Sequence, residues 1–210
     1  MNRGMHLIQT LQHSIPPVFI PIFIIITILG SLGFILPGIL LLYWRWDADR
    51  ALFVGSAVLG GIGITLTLKN LFALPRPPIS YHLVYVTGYG FPSQHAIDST
   101  VTYGALASVV RRGTRWQRGF VAGLVIGLVA LSRVILGVHY VTDVIAGILV
   151  GLEYLVIVVV VLDRNIRRCL FLAIIPAIAA VIVTDGSWKS VILLSSVAIS
   201  ILWWYHTRAQ

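Results

Sequence analysis

Charged residues are scarce in this chain of 210 residues, and acidic residues are the scarcest among them. Only 10% of the residues are Asp, Glu, Lys or Arg, whereas 58% are apolar and the mean hydropathy is +0.95. Soluble globular domains carry roughly 25% charged residues. The composition therefore excludes an ordinary soluble enzyme, a disordered chain and a DNA-binding module, and it predicts a membrane protein that forms one domain over residues 1–210.

Cysteine is almost absent as well. The single Cys169 cannot form a disulfide within the chain, so it says nothing about the redox compartment. The apolar run near the N-terminus is interrupted by Gln9, Gln12 and His13, which makes it a poor cleavable signal sequence.

Long apolar runs are abundant, and a spanning helix needs about 20 mostly apolar residues. The candidate segments lie near 16–44, 51–69, 94–110, 117–138, 140–162, 169–184 and 189–205. We expect the Gly-Ser-Leu-Gly stretch at 30–33 to divide the first segment, and we interpret 169–205 as two accessory spans rather than a re-entrant hairpin. The predicted fold is an all-α polytopic membrane bundle of six to seven transmembrane helices.

Basic residues are scattered between the apolar runs, which argues against a nucleic-acid partner in spite of the net charge of +8. If the 45–50 loop is cytoplasmic, ten basic residues share its face: Arg45, Arg50, Arg111, Arg112, Arg115, Arg118, Arg164, Arg167, Arg168 and Arg208. The opposite face receives five: Arg3, Lys69, Arg76, Arg133 and Lys189. The positive-inside rule then predicts a cell-membrane protein with its N-terminus outside and its C-terminus in the cytoplasm.

Ionisable residues at the ends of the segments share one membrane face. Lys69 ends the second segment, His95 opens the third, Arg133 lies near the end of the fourth, and His139 with Asp143 opens the fifth. Because consecutive spans alternate in direction, all five reach the extracytoplasmic face. Charges at such positions are costly and usually functional, so we interpret them as one site.

The composition of this site indicates an anionic ligand. Lys69, Arg76 and Arg133 supply three positive charges against the one carboxylate of Asp143, a balance suited to phosphate or diphosphate. Ser93 occupies an N-cap position before an apolar run, so the free N–H groups of that helix start would add to anion binding. The residues do not have the spacing of zinc or magnesium ligands, and we expect a site without metal or other cofactor.

Histidine chemistry is indicated by the spacing of His139 and Asp143, which are four residues apart and would share one face of a helix. The carboxylate could then orient the imidazole and leave its other nitrogen free to attack. His95 would be the acid that protonates the departing oxygen.

Three sequence blocks resemble the signature of the type-2 phosphatidic acid phosphatase superfamily: KNLFALPRP at 69–77, PSQH at 92–95 and SRVILGVHYVTD at 132–143. The resemblance extends from the second to the fifth segment, about half of the chain. It implies the superfamily's core helix bundle, His139 as a nucleophile that forms a phosphohistidine, Asp143 as its orienting partner and His95 as general acid. It also implies that Lys69, Arg76, Arg133 and Ser93 bind the phosphoryl oxygens.

The second block departs from the family pattern, because Gln94 stands where the family usually has glycine. Glycine lets the backbone approach a phosphate without a side chain in the way. Gln94 keeps its backbone N–H, and we include it among the phosphate-binding residues. Asp98, one turn after His95, is expected to be a partner of the helix dipole.

The sequence thus predicts a metal-independent membrane phosphatase that hydrolyses a lipid phosphate or isoprenyl diphosphate at the extracytoplasmic face. Its partners would be this substrate and the surrounding membrane lipids. Three alternatives remain open: a lipid phosphotransferase, a sugar-phosphatase that uses the same residues, and a non-catalytic protein that binds lipid phosphates.

Overall fold

A computed structural model describes residues 5–208, with side chains for residues 5–207, and this part of the chain contains helices but no strand. Arg3 and the side chain of Arg208, both counted in the predicted charge asymmetry, lie outside the described residues. The helices are α1 (Met5–Ser14), α2 (Ile20–Ile28), α3 (Leu32–Arg45), α4 (Ala48–Phe72), α5 (Gln94–Val109), α6 (Arg115–Ile135), α7 (Val141–Val156), α8 (Ile166–Val183) and α9 (Trp188–Arg208). The predicted all-α bundle is confirmed.

Five of the described helices are long and apolar enough to cross a membrane. They are α4, α6, α7 with its π-helical extension Ile157–Val161, α8 and α9. If the bent pair formed by α1 and residues 17–28 is counted as one further span, the described residues contain six spans at most. Six is the lower limit of the predicted range of six to seven. The difference lies in α5, which has 16 residues, and in α3, which has 14.

The first apolar segment is broken where the Gly-Ser pair predicted a break. α2 ends at Ile28, and α3 begins at Leu32. The preceding helix α1 was not predicted, because its polar residues interrupt the apolar run. It meets residues 17–28 at an angle of 99°, and the Nε2 atom of Gln12 donates hydrogen bonds to the carbonyl oxygens of Tyr81 (2.9 Å) and Ile135 (3.0 Å). α1 therefore ties the 73–93 loop to the end of α6.

The hydrophobic core lies where α4 packs against α5 and α8, and α5 packs against α6 and α7. Its fully buried members include Val54, Ala57, Val101 and Val158, and Cys169 is buried beside them. The antiparallel run of these helices places the end of α4, the start of α5, the end of α6 and the start of α7 at one end of the bundle. We call this the site end, and the other the opposite end.

Close backbone packing joins the starts of α5 and α7. A Cβ atom at Gly147 would lie 2.7 Å from the carbonyl oxygen of Ser93, so only glycine allows this approach. The N–H of Ser93 donates to the carbonyl oxygen of Asp143 at 2.9 Å. The second and third sequence blocks are thus held in direct contact by backbone atoms.

Candidate active site

Arg76 is the most highly connected side chain at the site end. Its Nε donates to the carbonyl oxygen of Gly88 at 3.0 Å, and its Nη2 donates to that of Thr87 at 3.2 Å. Its Nη1 donates to the carbonyl oxygen of Val138 at 2.9 Å and lies 3.0 Å from Nε2 of His139. These acceptors carry no formal charge, so they fix the guanidinium while leaving its charge available to an anion.

His139 lies in the turn between α6 and α7, not within a helix as the spacing suggested. Its Nδ1 lies 3.5 Å from Oδ2 of Asp143, which sits in the first turn of α7. The same Oδ2 accepts a hydrogen bond from the N–H of Tyr140 at 3.0 Å. The positive φ of 72° at Gly137 shapes this turn, where a Cβ atom would lie 2.0 Å from the carbonyl oxygen of Tyr81.

The contact with Arg76 defines the tautomer of His139. A guanidinium can only donate hydrogen bonds, so Nε2 must be the acceptor and the ring hydrogen must sit on Nδ1, facing Asp143. The distance of 3.5 Å is longer than a normal N–H···O hydrogen bond, but the carboxylate still favours the hydrogen on this side of the ring. The imidazole therefore presents a lone pair on Nε2.

The ionisation of His139 agrees with this picture. The ring is 1% exposed, and burial holds its pKa well below the usual value for histidine. The nearby positive charges of Arg76, Lys69 and Arg133 lower this pKa further. A neutral imidazole at physiological pH can act as a nucleophile, whereas an imidazolium cannot.

The other two cations are also held by uncharged oxygens. Nζ of Lys69 donates to the carbonyl oxygen of Tyr89 at 2.7 Å. Nη1 of Arg133 donates to the hydroxyl of Thr27 on α2 at 2.8 Å, and Arg133 is 4% exposed. Thr27 was not predicted as a site residue. The only signal in the sequence is that it is a polar residue within the apolar stretch of α2.

His95, Ser93 and Gln94 stand at the start of α5. The ring of His95 lies within electrostatic reach of Arg133, Lys69 and Arg76. Ser93 occupies the N-cap position, as predicted, but its hydroxyl makes no capping hydrogen bond and has no partner among the described residues. The structure thus brings all eight predicted residues into one region, with a buried hydroxyl and a helix N-terminus beside the cations.

Asp98 adds a second carboxylate to this region. It is 2% exposed and interacts electrostatically with Lys69 and with the Gln94 side chain one turn before it. Neither of its oxygens has a hydrogen bond of normal geometry within the described residues. We predicted that Asp98 is a partner of the helix dipole, and the structure shows in addition that its carboxylate interacts electrostatically with Lys69.

Comparison with known families matches residues 50–167 to the model described as the PAP2 superfamily. This match covers the three sequence blocks and more than half of the chain. The chain belongs to the PAP2 superfamily. The predicted resemblance is therefore confirmed.

Named relatives of this PAP2 protein are phosphatases. It is 32% identical over 157 residues to phosphatidylglycerophosphatase B of Bacillus subtilis, a match that covers 68% of this chain and 74% of the relative. It is 31% identical over 128 residues to sphingosine-1-phosphate phosphatase 1 of Rattus norvegicus, covering 55% of this chain but only 29% of that protein. These names agree with the predicted phosphoric ester hydrolase.

Solved structures show the same fold. A crystal structure of a transmembrane PAP2-type phosphatidylglycerolphosphate phosphatase from Bacillus subtilis superposes with a TM-score of 0.60 at 26% identity. The superposition covers 78% of this PAP2 chain and 88% of that one. With the apolar helices of the bundle, this likeness identifies a multi-pass membrane protein.

Proposed function

We propose that this PAP2 protein is a lipid phosphatase that works through a covalent phosphohistidine on His139. The observation that carries the proposal is the alignment of three groups: Arg76 at Nε2 of His139, and Asp143 at Nδ1. This arrangement supports a neutral, oriented nucleophile whose attacking atom is already next to a phosphate-binding guanidinium.

Substrate binding would release the nucleophile. In the free protein the lone pair of His139 Nε2 accepts a hydrogen bond from an N–H of Arg76. A phosphoryl oxygen is a stronger, charged acceptor for that N–H. When the phosphate binds Arg76 at this position, the Nε2 lone pair is freed next to the phosphorus atom.

The reaction then follows in two steps. Nε2 of His139 forms a bond to phosphorus as the bond from phosphorus to the lipid oxygen breaks, and His95 gives its proton to that oxygen. In the second step a water molecule attacks phosphorus, the bond between phosphorus and nitrogen breaks, and His95 takes a proton from the water. Lys69, Arg76 and Arg133 stabilise the charge on the phosphoryl oxygens in both steps.

His95 must carry a proton in the first step although three cations surround it. The bound substrate supplies the compensation, because its phosphate brings negative charge into the same cluster. The Ser93 hydroxyl and the N–H groups at the start of α5 would bind further phosphoryl oxygens.

The substrate class follows from the place of the site at the rim of a membrane bundle, where a phosphate headgroup can enter while its chains stay in hydrocarbon. The relatives are named for phosphatidylglycerophosphate and sphingosine-1-phosphate, both lipid phosphates, and isoprenyl diphosphates have the same combination of chain and phosphate. We assign the site to the extracytoplasmic face, because most arginines lie at the opposite end.

The first test is phosphate release by purified protein in detergent with excess EDTA. Phosphatidylglycerophosphate, sphingosine-1-phosphate, an isoprenyl diphosphate and glucose-6-phosphate are offered to wild type, His139→Ala and His206→Ala. His206 is exposed near the end of α9 and serves as the matched histidine control. We expect wild type and control to release phosphate from lipids despite EDTA, and His139→Ala to release none.

Other outcomes separate the alternatives. Equal rates on glucose-6-phosphate would favour a sugar-phosphatase, and transfer of phosphate to an added alcohol would favour a phosphotransferase. Lipid binding without release from any substrate would indicate a binding protein. A quenched reaction with labelled substrate should leave the label on wild type and not on His139→Ala; release without any such label would reject the covalent step.

The proposed orientation has its own test. Single cysteines are introduced at Tyr85 in the 73–93 loop and at Arg115 at the start of α6, in a Cys169→Ser background. A membrane-impermeant thiol reagent added to intact cells should label the cysteine at 85 and leave the one at 115 unlabelled. The reverse pattern would place the site on the cytoplasmic face.

A further inference from the structure

A cleft of about 570 Å³ opens between α3 and α5, toward the opposite end of the bundle. Most of its lining is apolar, with side chains from both helices: Phe34, Ile35, Ile39, Leu41, Leu42 and Leu106. Several of these, such as Phe34 and Leu41, are exposed at the surface of the bundle. Apolar cavities of this size bind small-molecule ligands.

The cleft is separated from the active site. The hydroxyl of Tyr103 donates to the carbonyl oxygen of Leu29 at 2.7 Å, and this bond links α5 to the end of α2 on the site-end side of the cleft. The cleft extends to Arg112 just beyond the end of α5, and the helical rise from His95 to Val109, the last residue of α5, is already roughly 21 Å. It is therefore not a continuation of the phosphate site.

Two arginines stand at the mouth, Arg45 at the end of α3 and Arg112 after α5, with Trp46 beside them. Both are exposed, and neither forms an ion pair or a side-chain hydrogen bond within the described part of the chain. Two uncompensated guanidinium groups above an apolar cleft match a ligand with an anionic head and a hydrocarbon chain.

We propose that this cleft is a binding site for an anionic phospholipid of the leaflet at the opposite end of the bundle. The phosphate of the lipid lies between Arg45 and Arg112, and one of its chains lies along Phe34, Leu41 and Leu106. This lipid is not a substrate, because its headgroup lies at the end of the bundle away from His139.

The test measures lipid retention by native mass spectrometry of the full-length protein in detergent, with phosphatidylglycerol as probe and phosphatidylcholine as comparison. The test variant is Arg45→Gln/Arg112→Gln, and the control is Arg115→Gln/Arg168→Gln, which removes two exposed arginines of the same end outside the cleft. We expect wild type and control to prefer phosphatidylglycerol, and the test variant to bind it about 25-fold more weakly, since each of the two arginines near a membrane surface contributes about fivefold.

The chain-binding part of the cleft is tested separately. Gly38 lines the cleft and a Cβ atom there would meet nothing within 4 Å, so Gly38→Leu adds a side chain that occupies part of the cleft. Gly123→Leu on α6, also without neighbours, is the matched control outside the cleft. Gly38→Leu should reduce retention of both lipids and Gly123→Leu should not. Retention equal to wild type in Arg45→Gln/Arg112→Gln, or equal loss in both arginine pairs, would overturn the proposal.

Discussion

Nη1 of Arg76 and Nε2 of His139 lie 3.0 Å apart, so the proposed phosphate-binding and attacking groups are hydrogen-bonded to each other in the free protein. The contact requires a neutral imidazole whose hydrogen faces Asp143. In the proposed mechanism it also couples substrate binding to activation of His139, because a phosphoryl oxygen that accepts this N–H frees the Nε2 lone pair.

Replacement of Arg76 by lysine should strongly impair catalysis although the charge is kept. Lysine cannot reproduce the fork that contacts Gly88, Thr87, Val138 and His139 together. We expect kcat/KM for phosphate release to fall about 100-fold, the loss typical of one removed transition-state donor. Arg115→Lys, in an exposed arginine outside the site, is the control. A change of less than about threefold in Arg76→Lys would contradict the assigned role.

Thr27→Val should weaken substrate binding through Arg133. Valine has nearly the shape of threonine but cannot accept the hydrogen bond from Arg133 Nη1, which is 2.8 Å long. Hydrogen bonds to charged groups contribute about 1.5–3 kcal/mol, so we expect KM to rise at least about tenfold. Thr27→Ser keeps the hydroxyl and should stay near wild type. Equal KM values in the two variants would show that Thr27 does not position Arg133.

Gln94→Glu should raise KM, because it places a negative charge where the substrate phosphate binds and next to the buried Asp98. Like charges a few ångströms apart near a protein surface repel by roughly 1–4 kcal/mol, which predicts an increase of about tenfold or more. Gln94→Ala keeps the backbone N–H and adds no charge, so its KM should change less than about threefold. Similar KM values for both variants would place the Gln94 side chain outside the site.

The free energy of unfolding should decrease at acidic pH because the folded protein resists protonation of His139. Burial and the charges of Arg76, Lys69 and Arg133 lower the pKa of this histidine in the folded state, so below about pH 6.5 the unfolded chain binds a proton that the folded one does not. The contribution of His139 to the free energy of unfolding is therefore complete above pH 6.5. It falls as the pH drops below that value, by at most about 1.4 kcal/mol per pH unit.

Thermal unfolding in detergent at pH 8.0, 7.0, 6.0 and 5.5 measures this effect. We expect the melting temperature of wild type to fall by about 3–5 °C per pH unit below pH 6.5. His139→Gln cannot take up this proton, so its melting temperature should fall less steeply over the same interval. Parallel curves would mean that the folded and unfolded states take up this proton equally, so that folding does not lower the pKa of His139.

Some features of the site could not be predicted from local sequence. The spacing of His139 and Asp143 predicted one helical face, whereas His139 lies in the turn before α7 and still meets Asp143 at 3.5 Å. Thr27 is about a hundred residues from Arg133 in the chain, and no periodicity links them. α1 was missed because Gln9 and Gln12 look like interruptions of an apolar run, while both donate hydrogen bonds to Tyr81.

The amino-acid sequence alone was enough to establish a helical membrane protein and the superfamily to which it belongs. Hydrophobic length determines which segments can enter a bilayer, and the alternation of spans decides which ends meet. Only the tertiary structure decided which atoms hold Arg76, Lys69 and Arg133, that Asp98 joins their cluster, and that a cleft opens between α3 and α5. Those features depend on distances between side chains and backbone carbonyls far apart in the chain, and such distances are created by packing.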